Sequence, residues 1–320
     1  ARAKELGMKA MAITDHGAMF GAIDFYKACK ANDIKPIIGC EVYVAPRNRK
    51  DKDPNLDARY SHLILLAKDN QGYKNLATLV SLGYTEGFYY KPRIDHEIIE
   101  KYHEGIICLS ACLAGEVNQA ILANDMEKAK EVALWYKSIF GEDYYLEIQN
   151  NGIKEQVLAN QKLIQLSREL DIPLVATNDA HYLKREDAYN HEVLLCIQTG
   201  KRMTDEDRMK FDTDELYVKS PEEMSDYFKN VPDAIENTVK IAEKCNVEFE
   251  FGHTILPNYD VPQEFATHYD YLEKLTYDGL KNRYGENPSK EILERTEYEL
   301  SVIKKMGYVD YFLIVWDYIN

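Results

Sequence analysis

Through its first two hundred residues the chain alternates short apolar, β-rich runs with longer segments whose apolar residues recur at three- and four-residue intervals. This alternation constrains the fold more than any other feature, because a strand–helix–strand series favours crossover connections and buries helices against a sheet. The strand runs are Ala10–Thr14, Pro36–Val44, His62–Ala67, Gly105–Ser110, Tyr144–Gln149 and Pro173–Asn178, with helical patterns over 18–31, 70–83, 115–140 and 153–170. The expected class is α/β, with a mainly parallel sheet and helices outside it. Six such strands fit a (β/α) barrel better than two separate sheets. The opening stretch Ala1–Lys9 reads as the last turns of a helix ended by Gly7, so the chain is expected to begin inside an element.

After Gly200 the character changes. Residues 201–219 are charged and irregular, and helical patterns follow over 220–230, 232–245, 267–284 and 289–306, with an extended connector at 248–266. Ser220 with Glu223 three residues on, and Pro221 between them, predicts a capping box with proline at the first helical position. The expected division is a barrel domain over 1–200, a connector over 201–266 that is helical and then extended, and the start of a further helical module over 267–320.

Composition narrows the class of function. No apolar run reaches membrane-spanning length, so no membrane role is expected. Six cysteines are scattered without a CxxC pair, as in a reduced cytosolic protein. A formal charge of −15 argues against a dominant nonspecific DNA-binding surface, although cations in a metal-lined cleft can neutralise phosphate themselves.

Residues able to ligate metal fall beside the strands. His16 follows the first in Thr14-Asp15-His16-Gly17, Glu41 lies within the second, and His62 begins the third. Cys112 follows the fourth, and Asp179 and His181, two apart, follow the last in NDAHYL. In extended chain, residues i and i+2 share a face, so Asp179 and His181 are expected to reach into one space. In parallel barrels, groups at successive strand ends converge at the C-terminal rim. His62 fits only if its strand begins earlier or runs against the others. Each residue also has a plain structural reading: a satisfied polar group for His16, Glu41 or His62, a small core residue for Cys112, and a cap for a helix near Ala18 in the case of Asp15. His96, His103, His191 and His268 read as structural or solvated. The stretch Tyr89-Tyr90-Lys91-Pro92-Arg93 mixes rings with cations, which makes Lys91 and Arg93 candidate nucleotide or phosphate contacts.

Four stretches, TDHGAMFGAIDFYKACKANDIKPIIGCEVYVAP, SHLILLAKDNQGYKNLATLVSLGY, LSACLAGE and LVATNDAHYLKREDAYNHEVLLCIQTGK, resemble the N-terminal polymerase-and-histidinol-phosphatase (PHP) domain of bacterial DNA polymerase III alpha subunits. YVKSPEEMSDYF and PDAIENTVKIAEKCNVEF resemble the connector of those subunits, and YELSVIKKMGYVDYFLIVWDYIN the segment entering their polymerase core. The resemblance implies a distorted seven-stranded barrel, here lacking its first strand, with a centre of up to nine ligands for as many as three zinc or manganese ions. Carried over by motif, His16, Glu41, His62, Cys112, Asp179 and His181 are six of those ligands. The family's His-x-His has no counterpart here and is expected upstream of Ala1.

The resemblance further implies a DNA-directed DNA polymerase as the parent, with its Mg2+-dependent polymerase site outside this chain. It implies cytoplasmic location, DNA as substrate, and a proofreading exonuclease subunit, sliding clamp and clamp loader as partners. The PHP site itself is expected to hydrolyse phosphodiesters as a 3′–5′ exonuclease, with Asp179, His181 and His16 central to the chemistry. Two alternatives stay open: a metal-stabilised scaffold that docks a proofreading exonuclease, and a free-standing PHP phosphoesterase.

Overall fold

The computed structural model describes residues 1–253 and 256–320; Thr254 and Ile255, within the connector expected at 248–266, lie outside the described residues. The chain forms two compact units, Ala1–Glu248 and Phe249–Asn320.

The first unit is built on one curled, mixed sheet flanked by helices, in keeping with the α/β expectation. Its strands are β1 (Ala10–Ile13), β2 (Lys35–Val44), β3 (Ser61–Ala67), β4 (Phe88–Tyr89), β5 (Lys91–Ile94), β6 (Ile106–Leu109), β7 (Tyr144–Gln149) and β8 (Leu174–Thr177). They run in the order β4-β5-β2-β3-β6-β7-β8, with β1 paired to the first half of β2. All six expected strands are present within a residue or so of their predicted bounds. The expectation of a mainly parallel sheet needs correction: β3 runs antiparallel to both neighbours, β2 and β6, and β4 is antiparallel to β5. The β4–β5 hairpin was not expected, because strands this short, separated by Tyr90 and containing Pro92, carry almost no period-two signal.

Two further departures have local causes. The single helix expected over 115–140 is two, Glu116–Leu122 and Met126–Phe140. They are split where Asn124 takes a left-handed backbone and the Asp125 carboxylate accepts the Lys128 amide, starting the second helix. The helix after β1 starts at Ala22 behind Gly21 with no side-chain cap, so Asp15 does not cap it. The capping box at Ser220 and Glu223 forms as expected, with Pro221 in the first turn.

Side-chain alternation divides the sheet into two faces. On β3, Leu63 and Leu65 join the larger core beneath the flanking helices, whereas Ile64 and Leu66 join Ile37, Ile107, Leu109, Tyr145 and Val175 on the inner face. Helix Pro232–Lys244 closes one end of that inner core with Ile241. Extending the inner-face parity along each strand leads away from this apolar layer to Glu41 and Tyr43 on β2, His62 on β3, Glu147 and Gln149 on β7, and Thr177 on β8. The inner face is thus apolar at one end and polar at the other.

The second unit packs helices His268–Tyr284, Lys290–Met306 and Val309–Ile319 around Leu272, Leu300 and Leu313. Its first helix is capped by Thr267 paired with Asp270, and its second by Ser289. No helix of the described residues is long and apolar enough to cross a membrane.

Candidate metal centre

Glu41 is the buried anchor of the polar end, a carboxylate among the apolar residues that fill β2 beyond Lys35. The chain after β1 continues alongside it: Glu41 donates its amide to the Asp15 carbonyl at 3.0 Å and accepts the Gly17 amide at 2.8 Å, which fixes His16 opposite Glu41. Only glycine fits at position 17. Its φ is +62°, and a Cβ there would lie 2.7 Å from the Tyr43 ring. The His16 Nδ1 stands 3.3 Å from Glu41 Oε1.

His62 reaches the same oxygen from the other side. Because β3 runs against β2, its first turn of chain lies at the rim where the parallel strands end, and His62 Nδ1 sits directly against Glu41 Oε1. This resolves the misfit in the sequence pattern through strand direction. The loop after β6 returns to His62, whose amide donates to the Ala114 carbonyl at 3.0 Å. Asn118 holds that loop by donating to the Cys112 carbonyl at 2.9 Å, and the Cys112 Sγ comes 3.5 Å from His62 Nδ1.

One ligand-capable atom each from His16, Glu41 and His62 lies within 4.8 Å of the others. The donor set, two imidazoles and a carboxylate with a thiol beside them, suits zinc or a similar first-row divalent ion. Among the described residues no Lys or Arg is ion-paired to Glu41. Burial opposes ionisation of Glu41, but hydrogen bonds from His16 and His62 outweigh it and hold the carboxyl down at about 2. The hydrogen bond to Glu41 raises His16 despite partial burial. Burial, reinforced by the Glu41 charge, pushes the Cys112 thiol up, so in the metal-free protein it keeps its proton.

Asp179 and His181 lie in the turn after β8 with Asp179 Oδ1 3.4 Å from His181 Nε2, and the His181 ring is 6.3 Å from that of His16. They share a space, but not through extended chain: Asp179 takes a left-handed backbone with φ of +54°. Residues from the charged, irregular stretch hold this turn. The Leu216 carbonyl accepts the His181 amide at 2.8 Å, while the Asn178 side chain donates to the Tyr217 carbonyl and accepts the Lys219 amide. Nothing in the irregular 201–219 pattern signals that role.

Lys91 is near the centre, its ammonium 5.5 Å from the Tyr43 ring that stacks on His16. Arg93 is not available to a substrate, contrary to expectation. It is fully buried, and its guanidinium donates to the carbonyls of Gly87, Asp57, Arg49 and Asp51. Its role is to bind the 49–57 loop to the β4–β5 hairpin.

Sequence reasoning missed Glu147. Buried on β7, it accepts hydrogen bonds from Thr177 Oγ1 and from Gln149 Nε2, while its Oε2 has no hydrogen-bond partner among the described residues. Burial, with the charges of Glu41 and Asp179, raises its carboxyl to about 7 against the opposing Thr177 bond. The alternation of Tyr145 and Glu147 along YYLEIQ was the available signal that this carboxyl faces inward.

Comparison with known proteins agrees with these observations. Residues 1–151 match the PHP domain, and residues 270–320 match the bacterial DNA polymerase III alpha NTPase domain. The DNA polymerase III subunit alpha of Borreliella burgdorferi is 52% identical over 321 residues, covering 100% of this chain and 28% of that protein. That of Treponema pallidum is 48% identical over 320 residues, covering 99% of this chain and 27% of its own length. That of Campylobacter jejuni is 43% identical over 347 residues, covering 99% and 29%. The chain thus spans a little over a quarter of the length of these relatives. It is similar along its whole length to DNA polymerase III alpha subunits, and its first 151 residues match the PHP domain.

Proposed function

We propose that the rim bearing His16, Glu41, His62, Cys112, Asp179 and His181 holds divalent metal ions and hydrolyses phosphodiesters, acting as a 3′–5′ exonuclease on DNA. The convergence of the ligand atoms of His16, Glu41 and His62 within 4.8 Å carries this reading. Zinc or manganese suits the donors, and when bound such ions polarise a phosphoryl oxygen and supply hydroxide near neutral pH. Glu41, ionised far below neutral pH, is a permanent negative anchor. Lys91, with its ammonium over the Tyr43 ring that stacks on His16, meets a phosphate, and the Asp179–His181 turn adds its ligands beside His16. Glu147, Gln149 and Thr177 form a hydrogen-bonded floor that keeps the inner face ordered beneath the centre.

The names of the relatives support a wider reading, in which the chain works within a DNA-directed DNA polymerase of the cytoplasmic replication machinery. Its barrel domain occupies residues 1–200, its connector 201–266 and the start of a polymerase core 267–320. Polymerase activity with Mg2+, and partnership with a proofreading exonuclease, a clamp and a clamp loader, belong to that proposal.

The test is metal-dependent release of nucleotides from a labelled oligodeoxynucleotide with a mispaired 3′ end, comparing the chain with its Glu41→Gln variant. Release that needs added Zn2+ or Mn2+ and is lost in the variant supports the reading. Bound ions without release would assign the site to a scaffold instead.

A further inference from the structure

Beside the metal centre the surface carries large rings that no core covers. Phe20 is 86% exposed, and Tyr84 and Phe88 are also exposed, the latter at 49%. They form a row: Phe20 and Tyr84 have centroids 6.4 Å apart, and Tyr84 and Phe88 6.3 Å apart with planes 29° from parallel. Phe20 precedes the helix after β1, Tyr84 ends the helix Asn70–Thr85, and Phe88 belongs to the β4–β5 hairpin, so three separate elements contribute one ring each.

The row and the centre share one structural joint. A Cβ on Gly17, next to His16, would lie 3.0 Å from the Pro92 ring, and one on Gly83, next to Tyr84, would lie 3.3 Å from the Pro92 carbonyl. Pro92 is also the cross-strand partner of Phe88. Three segments therefore close on Pro92: the loop that carries His16, the helix end that carries Tyr84 and the hairpin that carries Phe88. Lys91, next to Pro92, holds its ammonium over Tyr43, whose ring stacks on His16 at 6.3 Å. The ring row and the metal-capable groups are thus joined through Pro92, with the Lys91 ammonium beside Tyr43.

We infer that Phe20, Tyr84 and Phe88 are a stacking platform for the bases of a single DNA strand, with Lys91 meeting its phosphate where the strand passes into the metal centre. The inference rests on the phosphodiester reading for the reason a strand should arrive there. The chemistry of the row is independent of it. Every base has a π face, so aromatic side chains bind unpaired strands with little sequence preference, and a duplex offers no such faces along its length. With a chain charge of −15, stacking has to carry much of the affinity, because a general phosphate attraction is absent.

Fluorescence anisotropy with fluorescein-labelled oligo(dT), measured in EDTA, tests the platform without any contribution from metal or cleavage. The double variant Phe20→Ala with Phe88→Ala should bind roughly thirtyfold or more weakly than the parent, the low end of what two stacked rings contribute. Phe20→Tyr with Phe88→Tyr should restore binding, which a merely misfolded surface would not do. Affinity unchanged in the double alanine variant, or no binding by the parent, would overturn the platform. Nucleotide release that fails while oligo(dT) binding follows this pattern would remove the exonuclease reading alone.

Discussion

His62 opens β3 and Glu41 lies inside β2, yet the antiparallel register pairs His62 with Tyr43 and sets the imidazole Nδ1 against the Glu41 carboxylate. Strand direction makes that meeting possible. Were β3 parallel to β2, its first residue would fall at the opposite end of the sheet, roughly 20 Å from the rim that carries His16. The antiparallel strand therefore assembles ligands from the loop after β1, the body of β2 and the start of β3.

Removing the anchor should disassemble the centre. Glu41→Gln is expected to lose at least one bound ion per chain on titration with Zn2+, read by mass spectrometry of the metal after dialysis. The same variant is expected to keep its fold by circular dichroism, since Gln fills the same volume.

Asp179→Ala and His181→Ala should each lower metal content, and lower the melting temperature of the metal-loaded protein more than that of the metal-free protein. The turn itself is held by Leu216, Tyr217 and Lys219, so its backbone should survive either change. An unchanged metal count in both variants would remove this pair from the ligand set.

Metal binding should release protons. Hydrogen bonding to Glu41 raises His16, so through the ordinary histidine range and somewhat above it the imidazole keeps a proton that an ion must displace. Zn2+ affinity, measured by calorimetry in buffers of different ionisation enthalpy, should therefore increase as pH rises through that range, with proton uptake by buffer falling as it does so.

Glu147 gives the metal-free protein a distinct pH signature. Its folded carboxyl sits at about 7, above its unfolded value, so the folded state binds the extra proton and stability falls as pH rises from about 4.5 to about 7. The loss is on the order of 3 kcal/mol. Urea unfolding across this range should show the fall in the parent and a flatter profile in Glu147→Gln.

Arg93→Ala should destabilise the first unit by about 3 kcal/mol or more, because four carbonyl groups lose a charged donor inside the fold. Urea unfolding reads this directly. A change under 1 kcal/mol would show that water replaces the guanidinium without cost.

Much of the barrel was legible because its central strands are largely apolar runs with the ligand candidates within or beside them. Ile37 to Val44 and Leu63 to Ala67 read as strands on their own residues. What escaped depended on tertiary partners. The direction of β3 is set by pairing, which leaves no trace in its own residues. Arg93 looks like a surface cation until the four carbonyls around it are known. Glu147 is one charge in the run YYLEIQ, and only its Thr177 and Gln149 partners show why a carboxyl is tolerated there. Asp179 was expected in extended chain, and the left-handed turn that replaces it is held by residues 216–219, nearly forty positions on.

The most direct test of the metal centre is an anomalous difference map from crystals of the protein soaked in Zn2+ or Mn2+, recorded at the absorption edge of the ion. The account predicts a peak bounded by His16, Glu41 and His62, with Cys112, Asp179 and His181 around the same rim. An ordered ion bound elsewhere, with this rim showing no peak at saturating metal, would contradict it.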